Sequence, residues 1–208
     1  LNATGTAFLH ASYLGCGRTN YSEHGRPRIA VDRSGKAAVA FNSATGITIL
    51  QIDPELPYPA SIVYGKTLNG QYADIATAIA VDPLGNIYLT GYSDSPDFPT
   101  TAGAFQQTNP ALWACMSGYT YAQCASPFVV KIDPTKSVER SVVYSTYLGG
   151  TESARGYAIA VDQTGNAYIG GYTCASGEKP SCPTMFPTTP GAFQQVGAYP
   201  INGFIAKL

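Results

Sequence analysis

The chain of 208 residues is 45% hydrophobic, 12% aromatic and only 12% charged, about half the ~25% charged of an ordinary soluble domain. Lys and Arg number 12 against 13 Asp and Glu, a net charge of −1, which supplies neither the basic footprint of a nucleic-acid binder nor a polybasic patch for anionic lipid. No run approaches the ~18 apolar residues of a membrane helix, and Tyr 15 with Phe 8 favour strands, so we expect an all-β domain with no nucleic-acid partner and no membrane insertion.

Residues 1–5, Leu1-Asn2-Ala3-Thr4-Gly5, lack the charged and apolar regions of a signal peptide, and the chain reads as a processed or excised segment. The first predicted strand covers 6–14 and closes on Ala11-Ser12-Tyr13-Leu14-Gly15. A hairpin follows: Ile29-Ala30-Val31-Asp32, the turn Arg33-Ser34-Gly35-Lys36, and a second strand over 37–42. The same plan returns at Ile79-Ala80-Val81-Asp82 and Ile159-Ala160-Val161-Asp162, offset by 50 and 80 residues. Asp32, Asp82 and Asp162 can accept hydrogen bonds from the turn amides, and Gly supplies the positive φ that closes a short loop. Each hairpin is followed by further strands, at 47–53 and 60–68, at 128–133 and 141–148, and at 204–208.

The repeat therefore contains four strands, and four-stranded units in series suit the blades of a β-propeller. Blade 1 is expected at about 26–68, blade 2 at about 76–149, and blade 3 at about 156–208 with the strand 6–15, in one domain over 1–208. The nearly all-apolar first strand of each blade is expected to be buried on both faces, the later strands to lie nearer solvent. Between the second and third strands, Phe98-Pro99-Thr100-Thr101-Ala102-Gly103-Ala104-Phe105-Gln106-Gln107 returns as Phe186-Pro187-Thr188-Thr189-Pro190-Gly191-Ala192-Phe193-Gln194-Gln195, identical at nine of ten positions. We expect both Phe side chains of each loop to anchor it on its blade; ligand binding is the functional alternative.

Cys115 with Cys124 and Cys174 with Cys182 form two close pairs in polar loops. Disulfides there would each contribute ~2–3 kcal/mol and persist only in an oxidising compartment, so we expect a secreted, periplasmic or cell-surface protein. A zinc site would want a C-x2-C pair and nearby histidines, whereas the two histidines are His10 and His24. Cys16 remains over, as a small buried hydrophobe or an intermolecular partner.

The succession Tyr144-Ser145-Thr146-Tyr147-Leu148-Gly149-Gly150, Ala158-Ile159-Ala160-Val161-Asp162, Gly165-Asn166-Ala167-Tyr168, Phe186-Pro187-Thr188-Thr189 and Phe204-Ile205-Ala206-Lys207-Leu208 resembles the bacterial SBBP repeat, named for a seven-bladed β-propeller. The hairpin is also similar to the NHL repeat. The resemblance implies a propeller fold in exported or surface proteins, with no catalytic motif to carry over; it is weaker in blade 1, where Lys36 stands for the turn Asn.

Strand order adds a constraint, because the chain opens on a fourth strand and stops after the third strand of blade 3. The spare strand, with Thr6, Phe8, Tyr13 and Leu14, would complement Phe204 and Ile205 of blade 3. It could do so within one copy, between two copies closing a six-bladed ring, or head to tail in a fibre; the chain could equally be part of a longer propeller, with neighbouring blades as partners. The expected function is a non-enzymatic extracellular scaffold. The alternatives are a glycan- or surface-protein-binding module using Trp113, Tyr119 and Tyr121, and a propeller hydrolase or lyase with a metal on the axis, held by the repeated aspartates. Asp94 and Asp97 could make a weak calcium site. No cofactor and no catalytic residue are expected.

Overall fold

The computed structural model describes residue 6 and residues 26–43, 45–111, 125–173, 186–197 and 201–208. Over these residues the repeats form three antiparallel sheets whose strands follow one another in chain order. Blade 1 contains β1 (Arg28–Val31), β2 (Ala37–Ser43), β3 (Gly46–Ile52) and β4 (Ile62–Leu68). Blade 2 contains β5 (Asp74–Val81), β6 (Ile87–Ser93), β7 (Ser126–Ile132) and β8 (Val142–Tyr147), with one 3-10 turn, Val138–Arg140, before β8. Blade 3 has three strands among the described residues, β9 (Ala154–Val161), β10 (Ala167–Thr173) and β11 (Asn202–Lys207).

The hairpins are equivalent in register as well as in sequence. Ile29 faces Val39, Ile79 faces Leu89 and Ile159 faces Ile169 across the first strand pair. Each turn closes on a glycine in the left-handed region, Gly35 at φ 88°, Gly85 at 85° and Gly165 at 86°, where a side chain would be strained.

The blades pack face to face, with the first strands β1, β5 and β9 side by side. The period of two in a strand sends alternate side chains of blade 2 to opposite neighbours. Ile87, Leu89, Phe128 and Val130 join Ala38, Ile47 and Ile49 of blade 1, whereas Tyr88, Val129 and Leu148 join Ala167 and Ile169 of blade 3. Every residue of β6 is consequently buried.

The first strands differ from expectation. β1 alternates between half-buried and exposed, with Ile29 66% and Val31 62% exposed, and the second half of β5 is only half-buried. In blades 1 and 2 the second strand is buried over nearly its whole length, because it lies inside its sheet and between neighbouring blades, and in blade 2 the third strand β7 is almost equally buried.

Polar contacts fix the stacking angle. Thr77 is bulged between Ala76 and Ala78, so its groups turn out of the ladder: its carbonyl accepts from Arg28 Nε of blade 1, and its Oγ1 donates to Gly156 O of blade 3 at 2.8 Å. Asn42 is fully buried and pairs with the Ala76 backbone of blade 2 in both directions, Nδ2 donating to the carbonyl at 3.1 Å and Oδ1 accepting from the amide at 2.8 Å. Within blade 2, Gly91 lets β5 bulge against β6, since a Cβ there would overlap Ile75 O.

Asn42→Ala should therefore strand both polar groups of Ala76 in the blade interface. We expect a loss of about 2–4 kcal/mol, read as a lower urea midpoint with an unchanged m-value.

Candidate functional site

In blade 2 the Phe-Pro-Thr-Thr loop packs on the fourth strand of its own blade. Phe98 is 2% exposed, stacked on Phe128 with centroids 4.6 Å apart and edge-on to Tyr147 at 6.0 Å. The Tyr147 hydroxyl donates to Ser95 O at 2.6 Å and accepts from the Phe98 amide at 3.1 Å. Thr101 then pairs with Ser145, its amide donating to the Ser145 carbonyl at 3.0 Å and its Oγ1 accepting from the Ser145 amide at 3.1 Å. The Gln106 carbonyl accepts from the Tyr147 amide at 3.1 Å, and its side chain brackets Gly149, accepting from the amide and donating to the carbonyl at 2.8 Å each. The loop thus holds the outer side of β8 from residue 145 and the two residues that follow the strand.

Blade 3 has the same loop and no strand in it among the described residues. Phe186 stacks on Phe204 with centroids 4.2 Å apart, as Phe98 does on Phe128. The Thr188 hydroxyl donates to Gln195 O at 3.3 Å, repeating Thr100 to Gln107 O at 3.2 Å. Gln194, the counterpart of Gln106, donates instead to Val196 O at 2.8 Å. Along the outer edge of β11 runs an open groove of about 970 Å³, walled by β11, the 186–197 loop and, from blade 2, Phe105 and Leu148. Of the predicted assembly residues, Phe204 and Ile205 lie on β11, Phe204 half-buried and Ile205 exposed.

Only the first Phe of each loop is an anchor, a correction to the expectation for both. Phe105 is 64% exposed and Phe193 fully so; in blade 2, hydrogen bonds through Thr101 and Gln106 hold the loop and leave the second ring outside its own blade.

The aspartates hold the turns. Asp32 Oδ1 accepts from the amides of Ser34 and Lys36 at 2.8 and 3.0 Å, Asp82 Oδ1 from Leu84 and Asn86 at 2.9 Å each, and Asp162 Oδ1 from Thr164 and Asn166 at 3.0 and 2.9 Å. The second oxygens of Asp82 and Asp162 accept from Asn86 and Asn166 side chains and from the hydroxyls of Tyr88 and Tyr168. At Asp82 burial opposes ionisation, but the Asn86 side chain and amide outweigh it and hold the carboxyl below its ordinary range. At Asp162 the Asn166 side chain and the Thr164 hydroxyl lower it further. Lys131 and Lys207 lie over the Tyr88 and Tyr168 rings, each 4.9 Å from the centroid. In blade 1 Lys36, Ala38 and Gln51 stand at the positions of Asn86, Tyr88 and Lys131, so that support is reduced there.

Asp97 Oδ1 accepts from the Gln71 amide at 2.7 Å, and Asp74 accepts from the Gly70 amide and the Ser93 hydroxyl, so both tie down the loop from β4 to β5. Asp94 is buried with no donor to its Oδ1, and the half-buried Arg155 has no acceptor for its Nε. Burial, with the charge of Asp74 adding to it, pushes the Asp94 carboxyl up to about 6 against the pull of Arg155. Among the described residues no three His, Cys, Asp or Glu are grouped to hold a metal ion.

Thr6 is described and exposed. Phe8, Tyr13 and Leu14, the cysteines Cys16, Cys115, Cys124, Cys174 and Cys182, and the aromatics Trp113, Tyr119 and Tyr121 lie outside the described residues. Sequence reasoning missed Asn42, Thr77 and Arg155, which join blades; the one signal for Asn42 is its place where blades 2 and 3 have Tyr92 and Tyr172.

Two predictions follow from this geometry. Phe98→Ala should lower stability by about 3–5 kcal/mol in urea unfolding, and Phe186→Ala, at a half-buried ring, by clearly less. The Asp94 pKa lies above the ~3.9 of an unfolded aspartate, so its contribution is complete below about pH 4 and is lost as pH rises through about 6, on the order of 2–3 kcal/mol. Asp94→Asn should remove that part of the decline between pH 4 and 7, measured as the difference in urea midpoints.

The family model of the SBBP β-propeller repeat matches residues 64–99 and 143–176. Each match begins in a fourth strand, β4 or β8, and runs through the first two strands of the next blade. No curated protein matches the chain. The match, the repeated hairpin register and the face-to-face blades agree: two segments of the chain, 64–99 and 143–176, are similar to the SBBP β-propeller repeat.

Proposed function

We propose that the chain is a non-catalytic structural module of the β-propeller kind, working outside the cell and associating with itself by strand complementation. The observation that carries this reading is the outer edge of β11. In blades 1 and 2 the third strand is paired on both sides, β3 by β2 and β4, β7 by β6 and β8. β11 pairs only with β10 among the described residues, and an unpaired edge is a template for another strand.

The remaining groups support a structural role. The three repeated aspartates that a metal on the axis would use accept hydrogen bonds from their own turns, and Asp74 and Asp97 hold a loop. The two close cysteine pairs in the sequence favour an oxidising compartment.

Sedimentation equilibrium at micromolar concentration should give species at multiples of the 21.9 kDa chain; a single monomeric species at every concentration would overturn self-association. Alkylation of the unreduced, denatured protein followed by mass spectrometry should label Cys16 alone. Labelling of all five cysteines would remove the argument for an extracellular site.

A further inference from the structure

We propose that Asp94 and Arg155 form a proton-operated contact between blades 2 and 3: with Asp94 neutral the Arg155 guanidinium rests on the Tyr92 ring, and ionised Asp94 draws it off the ring into an ion pair. Both residues lie within the described part of the chain, and the contact stands apart from self-association.

Asp94 follows β6 in blade 2, its amide donating to Ala73 O at 2.9 Å. It is 8% exposed, and its Oδ1 has no hydrogen-bond partner. Arg155 stands in β9 of blade 3, half-buried, its Nε equally without a partner. Its guanidinium crosses the junction and lies over the Tyr92 ring of β6, 4.3 Å from the centroid. Tyr92 and Asp94 are separated in the chain by Ser93 alone, so the guanidinium rests close to a carboxyl that it does not bind. None of the four salt bridges among the described residues joins the two. Buried polar groups are as a rule hydrogen-bonded, and here an acid and a base at one junction each keep an unpartnered atom. The equivalent positions at the junction of blades 1 and 2 are apolar. Ile75 pairs with Tyr92 as Arg155 pairs with Tyr172, and in the sequence Ala44 follows Ser43 as Asp94 follows Ser93. Charge enters both sides of one junction and neither side of the other.

The surroundings decide which contact forms. Asp74 of β5 also faces Asp94, and its charge disfavours a second anion there; its own oxygens are taken by the Gly70 amide and the Ser93 hydroxyl. Asp97, whose charge reaches Asp74, accepts from the Gln71 amide. The Tyr147 hydroxyl beside Asp74 is pushed up to about 12 by burial and stays neutral. The cation whose charge reaches Asp94 is Arg155, and Tyr157, Tyr92 and Tyr172 stand around Arg155 and favour its charge. Burial is the largest influence on Asp94 and pushes its carboxyl up to about 6, so this group changes charge near neutrality while Arg155 stays charged throughout. With Asp94 neutral, the guanidinium is held by the attraction of a charge to the quadrupole of the Tyr92 ring. With Asp94 ionised, a buried carboxylate lacking a donor is costly, and the attraction of two full charges at low dielectric exceeds that of a charge to a ring. A turn of the Arg155 side chain, with β9 in place, exchanges the two partners. The ion pair recovers only part of the cost of ionisation, since the Asp94 carboxyl still lies above its ordinary range.

An NMR titration of the isotope-labelled chain from about pH 4 to 8 tests this contact, following the Asp94 carboxyl carbon, the Arg155 Nε–H group and the Tyr92 ring protons. The three should titrate with one midpoint near 6. In Asp94→Asn, which keeps the shape of the side chain, the Arg155 and Tyr92 signals should not respond over this range. In Arg155→Gln the Asp94 midpoint should move up by about one pH unit, because the charge that pulls it down is gone. The wild-type titration needs no variant to fold and decides by itself between the two states. An Asp94 carboxyl that titrates near ~4, as in an unfolded chain, would overturn the proton step. Arg155 and Tyr92 signals that stay fixed while Asp94 titrates would overturn the movement of the guanidinium, and responses that persist in Asp94→Asn would overturn the pairing of the two residues.

Discussion

The structure depends on a geometric fact about strands: successive side chains leave opposite faces of the sheet, so a blade with apolar residues at consecutive positions cannot bury them by itself. In β6 and β7 the odd and even positions belong to different cores, one shared with blade 1 and the other with blade 3. Burial of one such side chain is worth ~1.5–3 kcal/mol, and the two larger cores are both shared between blades. Stability is therefore a property of neighbours, as expected where each repeat contacts only the next.

Apolar faces that stack through a shared core carry little angular information, and the polar residues supply it. The bulge at Thr77 turns one residue out of its ladder so that its carbonyl meets Arg28 on one side and its hydroxyl meets Gly156 on the other. Asn42 imitates a strand edge, offering one donor and one acceptor to the Ala76 backbone. Tyr88 reaches from β6 to Asp82 of its own turn and to Gly165 O of the next, at 3.0 Å each. Buried polar groups of this kind permit one docking angle, because any other leaves them unpaired.

The outer part of the blade uses a different device. The Phe-Pro-Thr-Thr loop inserts one ring beside the third strand and addresses the fourth strand through its backbone and a few hydroxyls. Because Thr101 and Gln106 bind mainly backbone groups, the loop reads extended conformation and register more than side-chain identity, with Tyr147 as the residue recognised by its side chain. The two loops are identical at nine of ten positions, yet the one in blade 2 is closed on β8 and the one in blade 3 holds no strand among the described residues.

Much of this was legible in the sequence. Three recurrences of Ile-Ala-Val-Asp, each with a turn Gly, specified the hairpins, because turn chemistry is local: an aspartate, two or three amides and one positive φ lie within five residues. The four-strand repeat and the position of the long loops followed from period and spacing for the same reason. Tertiary structure decided which strands are most buried, since the interior of blade 2 is β6 and β7, and no local pattern distinguishes β6 from β5. It decided also that Phe98 anchors its loop while Phe105 points away, although both are aromatic in one motif, and that Asn42, Thr77 and Arg155 meet neighbouring blades. Those roles rest on residues 34 to 79 positions apart in the chain, brought together only when blades stack, and the sequence carries no short-range signal for such pairs.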